Sequence, residues 1–139
     1  MILAKEIQDR IASLRNNNTA GATALAQSAG NILTRVVDLS RTATPSDLRS
    51  RIIAAGKAII KAQPAMAPLY TLVNDVLGAL GDATNDQDLG ERIRGRALSF
   101  SAGLIAASES AARRAASLVV VDSVVVTHSR SSLVEKALI

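Results

Sequence analysis

The residues whose types and spacing could do chemistry lie near residue 130, where a run of β-branched side chains gives way to hydroxyls, an imidazole and a guanidinium. Residues 118–127 have the composition of a buried strand, and the pattern after residue 132 is typical of a helix. Where a strand leads into a helix, free backbone N–H groups and the helix dipole favour anions. The candidate anion ligands of this turn are Thr127, His128, Ser129, Arg130 and Ser131. The alternative is a capped turn that carries a solvated arginine.

His128 is the single histidine of the chain, so any general-base chemistry would depend on it. Ser129 and Ser131 are its neighbours in sequence, which does not establish contact in space. The alternative is a structural histidine. A second turn, residues 16–22, could also hold an anion, because Gly21 and Ala22 open a predicted helix. The alternative there is a helix cap without a ligand.

The composition excludes several classes of function. The chain has 139 residues and no cysteine, which excludes a disulfide scaffold, thiolate zinc sites and a cysteine nucleophile within it. One histidine cannot build a multi-histidine metal site, and the sequence indicates no cofactor. A net charge of +4 with one tyrosine and one phenylalanine gives no signal for nucleic acid. The sequence shows neither a membrane span nor a signal peptide, so we expect a cytoplasmic protein.

The elements that must position these residues are mainly helical. The chain has 25 alanines, and alanine is the best helix former. Apolar spacing predicts a bundle of about five helices, followed by one strand and a short helix that would open an α/β sheet. The predicted helices span about 2–14, 22–37, 45–63, 68–81 and 86–116, with the strand at 118–127 and the last helix at 133–139. We therefore expect a helical domain at 1–117 and the start of a second domain at 118–139.

Several residues indicate where helices begin, end or cross. Thr44 is the clearest N-cap, and Pro45 suits the first helical position. The interior glycines Gly90, Gly95 and Gly103 predict curvature or a tight crossing in the long helix. Helix caps are also expected around Thr19 and Gly21, and Ser132 with Glu135 has the spacing of a capping box.

Three stretches carry a resemblance to a known family. They are 14–26 (LRNNNTAGATALA), 54–77 with its Lys61-Ala62-Gln63-Pro64, and 124–132 (VVVTHSRSS), of which the last is the most specific. The chain resembles the N-terminal half of the translation initiation factor 2B alpha/beta/delta family. That family includes isomerases of ribose-1,5-bisphosphate and 5-methylthioribose-1-phosphate.

The resemblance implies a helical N-terminal domain followed by a Rossmann-like domain that opens at the strand. It implies a role in translation initiation related to guanine-nucleotide exchange, or the binding of a nucleotide or sugar phosphate, together with homo- or hetero-oligomers of related subunits. The implied phosphate ligands are Gly21, Ala22, Arg41, Thr127, His128, Ser129, Arg130 and Ser131.

Two departures from the isomerases favour a non-catalytic protein. The isomerases carry cysteine at the position of Ser129, and an arginine at the position of Ala20, before the Gly-Ala pair. Their catalytic aspartate belongs to the second domain. One alternative is half of a sugar-phosphate isomerase. Another is a helical oligomerisation module in which residues 119–126 pair with a strand across a dimer.

Overall fold

The chain folds mainly into α-helices, as the sequence predicts. The computed structural model describes residues 3–81, 88–128 and 131–139, and within these ranges it has six helices and no strand. The helices are α1 (Lys5–Asn16), α2 (Ala22–Asp38), α3 (Pro45–Ala62), α4 (Ala67–Gly81), α5 (Leu89–Ala116) and α6 (Ser132–Leu138). The predicted start of the first helix at Ile2 and of the fifth at Asp86 lie outside the described residues. No helix of the described ranges is long and apolar enough to cross a lipid bilayer.

Two compact units divide the chain, residues 1–101 and residues 102–139. In the first unit, α2 and α3 are the central elements, since they contact each other and each also contacts α1 and α4. The apolar positions of α2 recur on one broad face, and burying that face stabilises the bundle. The largest fully buried side chains of the described residues are aliphatic: Ile7, Leu25, Leu33, Ile52, Ile59, Leu69, Leu72, Val73, Val76, Leu89 and Ile93.

The start of α3 confirms the N-cap predicted at Thr44. The Thr44 hydroxyl oxygen accepts a hydrogen bond from the Asp47 backbone N–H at 3.1 Å, and Pro45 occupies the first helical position. The hydroxyl also donates to the Asp47 carboxylate at 2.9 Å. This cap satisfies one of the N–H groups that every helix start leaves without a partner.

Glycine allows three close approaches between helices of the first unit, one of them at Gly30, where an added Cβ would lie 3.0 Å from Ser101 Oγ. A Cβ added at Gly90 would lie 3.0 Å from Val37 Cγ1, which confirms a tight crossing at that position. A Cβ at Gly56 on α3 would lie 2.8 Å from Val73 Cγ1 on α4. At Gly95 and Gly103 an added Cβ meets no described atom of another element within 4 Å, so no tight crossing occurs there, and curvature at these two positions stays a prediction.

An ion pair joins α1 to α2. Arg35 donates to both carboxylate oxygens of Glu6, at 2.9 Å each, and Arg10 lies 3.0 Å from the same carboxylate. The hydrogen bond from Arg35, followed by that from Arg10, lowers the pKa of Glu6 to about 2. Because two parallel hydrogen bonds form in one relative orientation only, the pair also favours contact between the faces of α1 and α2 that carry Glu6 and Arg35.

Acid should weaken the bundle through this pair. Because the pKa of Glu6 is lower in the folded chain than its ordinary 4.5, its contribution to stability is present above pH 4.5 and is lost as the pH falls toward 2. Glu6→Gln is expected to flatten this acid-side loss, measured by urea unfolding at stepped pH. The control is Asp9→Asn, which removes the Lys5–Asp9 pair within α1. If both variants keep the acid-side slope of the original chain, the Glu6–Arg35 pair is not its cause.

The strand predicted at 118–127 is not formed in the second unit, and neither is the sheet that it would open. Residues 118–128 contain no strand, and a turn interrupts the run where the Ser123 N–H donates to the Val120 carbonyl at 3.1 Å. Asp122, with φ of 63°, occupies the left-handed region that aspartate tolerates better than valine. A strand needs a neighbour to pair its backbone groups, and the described chain supplies none. The valine side chains are consequently exposed, Val124 at 90% and Val126 at 89%.

Candidate functional site

The turn that joins α1 to α2 is ordered by the side chain of Asn17. Its carboxamide oxygen accepts hydrogen bonds from the backbone N–H groups of Ala20 at 3.0 Å and Thr19 at 3.3 Å. Thr19 does not cap α2, because no side chain makes a capping hydrogen bond at that helix start. Gly21 is the residue that flanks the helix start. These bonds fix the backbone that leads into Gly21.

Gln63, the residue that follows α3, holds the same turn from outside. Its carboxamide nitrogen donates to the backbone carbonyls of Leu14 at 2.9 Å, Arg15 at 3.2 Å and Asn17 at 3.3 Å. The last carbonyls of a helix lack partners within it, so Gln63, at the end of α3, caps α1. Sequence reasoning missed this role: Gln63 before Pro64 indicates only where α3 ends, and a contact across 49 residues has no local signal.

The start of α2 has the features of an anion-binding helix terminus. Gly21 and Ala22 are exposed, no side chain caps the helix, and its first turn has no acidic residue. Backbone N–H groups and the positive end of the helix dipole thus face solvent. Gly21 has φ of −72° and ψ of 166°, an extended conformation that any residue can adopt. The backbone angles at this position therefore do not require glycine.

Arg41 is not brought to this turn. It follows the opposite end of α2, whose 17 residues span about 25 Å at 1.5 Å per residue. Its side chain is 77% exposed and lies 3.6 Å from the Asp38 carboxylate. Asp38 is bound more closely by Arg94, at 2.7 Å, and this hydrogen bond lowers the pKa of Asp38 below its ordinary value.

In the second unit, three of the predicted ligands line one cavity. Thr127, His128 and Ser131 border a space of about 420 Å³ whose other walls are largely apolar, including Val125 and Leu133. Thr127 and His128 are exposed. Ser129 and Arg130 lie outside the described residues. The cavity therefore combines hydroxyls and an imidazole with an aliphatic lining.

The capping box predicted for α6 is wrong. Ser131 flanks the helix, its side chain makes no capping hydrogen bond, and Ser132 is already helical. The bond at this terminus is a backbone one, from the Glu135 N–H to the Ser131 carbonyl at 2.9 Å. The capping-box spacing counts from the residue that flanks the helix, and that residue is Ser131 rather than Ser132.

The fold and the turn at Gly21 define an α-helical bundle domain whose second helix opens on an exposed Gly-Ala pair. Comparison with known proteins places the chain more closely. It belongs to the initiation factor 2 subunit family (IF-2B), whose sequence model matches residues 18–139. No curated protein matches the chain.

One solved structure shares the fold. The chain is similar to the crystal structure of the translation initiation factor eIF-2B from Pyrococcus horikoshii OT3, with a TM-score of 0.82 and 22% sequence identity. The similarity covers 98% of this chain and 46% of the archaeal one. The chain thus spans about half the length of that protein.

Proposed function

We propose that this chain is an initiation factor 2B-like regulatory protein that binds the phosphate of a nucleotide or sugar phosphate and does not catalyse its conversion. Membership of the initiation factor 2 subunit family supports the regulatory role. The observation that carries the binding role is the exposed, uncapped start of α2 at Gly21 and Ala22, held in place by Asn17 and Gln63. Binding is favoured over catalysis because position 129 is serine, a much weaker nucleophile near neutral pH than a tuned thiolate.

By the family resemblance, a second set of phosphate ligands is proposed within residues 118–139: Thr127, His128, Ser129, Arg130 and Ser131. By the same resemblance, this part is the opening strand, loop and helix of a Rossmann-like domain. In the proposal, residues 118–127 form their strand when a neighbouring strand pairs with them. Arg41 is left out of the proposed site because of its distance from Gly21.

A thermal-shift screen tests the binding role. The ligands are AMP, GMP, GDP, ribose-1,5-bisphosphate and 5-methylthioribose-1-phosphate. A ligand that binds only the folded chain raises its stability by ~2.7 kcal/mol at a hundred times its dissociation constant. A saturable shift with at least one phosphate ligand is expected. The absence of any shift in a folded chain would contradict the proposal, and turnover of either sugar phosphate would favour the isomerase alternative.

Gly21→Val is expected to weaken that binding by at least about tenfold. Side-chain carbons at this position would keep a phosphate from the backbone N–H groups, and one hydrogen bond to a charged group is worth ~1.5–3 kcal/mol. The extended backbone at Gly21 accommodates valine, so the fold should persist. Gly78→Val is the control, because an added Cβ there meets no described atom within 4 Å. Equal affinity in Gly21→Val and the original chain would place the phosphate elsewhere.

A second candidate function, subunit assembly, is favoured by the exposed apolar side chains of residues 118–126. Leu118, Val120, Val121, Val124 and Val126 are each more than 70% exposed. A single chain gains nothing from presenting such a surface to water, whereas a partner would bury it. Molar mass measured by light scattering in the same screen tests this: assembly predicts an oligomer, and a monomer at all concentrations would contradict it.

A further inference from the structure

A small cleft lies at the end of the bundle opposite to the turn at Gly21. It has a volume of about 230 Å³ and is lined by Leu3, Ala4, Ile7, Val36, Leu39, Ser40 and Arg51. Five of these residues are apolar, and the two polar ones, Ser40 and Arg51, adjoin each other. The cleft therefore has an aliphatic wall and one polar corner.

The polar corner contains an arginine that meets no counter-charge among the described residues. Arg51 is half-buried, and its guanidinium donates to the Ser40 hydroxyl oxygen at 3.1 Å. Within the residues that the structure describes, it makes no ion pair with a carboxylate. A guanidinium has five N–H donors, so most of its donor capacity here is unused by the protein.

The arginines that bridge helices elsewhere in the unit differ in this respect. Arg35, Arg94 and Arg96 each meet a carboxylate on another helix, at 2.9, 2.7 and 2.9 Å. A partly buried positive charge is costly when no anion compensates it. Arg51 thus has the environment of the other bridging arginines but lacks their carboxylate partner.

Ser40 is the second polar group of the corner. It is 5% exposed, the one buried polar side chain among the described residues. Because its oxygen accepts from Arg51, its hydroxyl hydrogen is available to donate to a third group. A carboxylate placed there would accept from both side chains, and guanidinium–carboxylate pairs are among the strongest hydrogen-bonded contacts.

We propose that this cleft binds a small monocarboxylate with a short aliphatic tail. Arg51 and Ser40 hold the carboxylate, and Leu3, Ile7 and Leu39 contact the tail. At roughly 30 Å³ per water-sized group, the volume accommodates about seven heavy atoms, which is the size of pentanoate. The lining residues Leu3, Ala4 and Ile7 precede residue 18, where the match to the family begins. The site is independent of the proposed phosphate turn.

Isothermal titration calorimetry tests the site with pentanoate, pentanol and inorganic phosphate as probes. Saturable binding of pentanoate is expected, with pentanol and phosphate each at least about tenfold weaker, because one lacks the charge and the other lacks the tail. No binding of pentanoate, or equal binding of pentanoate and pentanol, would overturn the proposal.

Variants locate the binding. Arg51→Met is expected to weaken pentanoate binding at least about tenfold, whereas the exposed Arg41→Met is not. Ala4→Leu narrows the cleft at an exposed position and should also weaken binding, which keeps the test valid if Arg51→Met fails to fold.

Urea unfolding without ligand compares two arginine variants. Arg51→Met should unfold at the same urea concentration as the original chain or a higher one. Arg94→Met, which leaves the Asp38 carboxylate without its closest partner, should unfold at a lower one. Pentanoate binding unchanged in both cleft variants would refute the site. Gly21→Val leaves pentanoate binding unchanged, which separates this result from that of the phosphate turn.

Discussion

Replacing Leu33 with alanine is expected to lower the free energy of unfolding by about 3–5 kcal/mol. Leu33 is fully buried on α2, the helix that contacts α1, α3 and α4. The substitution removes apolar contact and leaves a cavity, and both effects add to the loss. A domain of this size has ~5–15 kcal/mol of stability in total, so the change removes a large part of it.

Urea unfolding followed by far-ultraviolet circular dichroism measures this loss. Helical signal is the appropriate probe because the chain has no tryptophan and one tyrosine. The control is Leu98→Ala, the same change at a position that is 59% exposed on α5, for which a loss within ~0.5 kcal/mol is expected. Similar losses in the two variants would show that Leu33 does not belong to the core.

Gly56→Val is expected to destabilise the chain by about 2–3 kcal/mol. Its Cβ would lie 2.8 Å from Val73 Cγ1, closer than two carbon atoms can pack, so α3 and α4 must move apart or Val73 must change rotamer. Gly78→Val, on the exposed face of α4, introduces the same side chain where nothing lies within 4 Å. There the effect should be near zero or slightly stabilising, because valine is a better helix former than glycine.

Both variants are measured by urea unfolding, and a third variant identifies the cause. Combining Gly56→Val with Val73→Ala removes the atom that clashes, so the double variant should be more stable than the sum of the two single losses predicts. Additive losses would mean that Gly56 and Val73 do not limit the approach of the two helices.

The helices could be predicted from sequence because their signals are local. Apolar spacing identified α2, α3 and α4 to within a residue or two, and Thr44 with Pro45 marked the start of α3. The second unit was predicted less well for a physical reason. Val119 to Val126 have the composition of a strand, but a strand exists only when another pairs with it, and no pattern within one segment reports whether that neighbour is present.

The candidate site also has one part that could be predicted from sequence and one part that could not. The start of α2 at Gly21 could be expected from its sequence, whereas the support that Gln63 gives to the turn could not. Arg41 shows the converse: it is three residues beyond the end of α2, and a position along the chain does not indicate at which end of the bundle a side chain lies. The polar corner at Arg51 likewise becomes visible only when three helices are assembled.

The contact of Gln63 with the end of α1 also bears on the order in which the chain becomes structured. It closes a loop of 46–49 residues, so it cannot form until α3 has docked against α1. In an isolated α1–α2 hairpin the carbonyls that Gln63 caps would be left to water, and the turn before Gly21 would lose its outer support. The turn before Gly21 is therefore fully supported only after α3 has folded, and the ligand binding proposed for it would require all three helices.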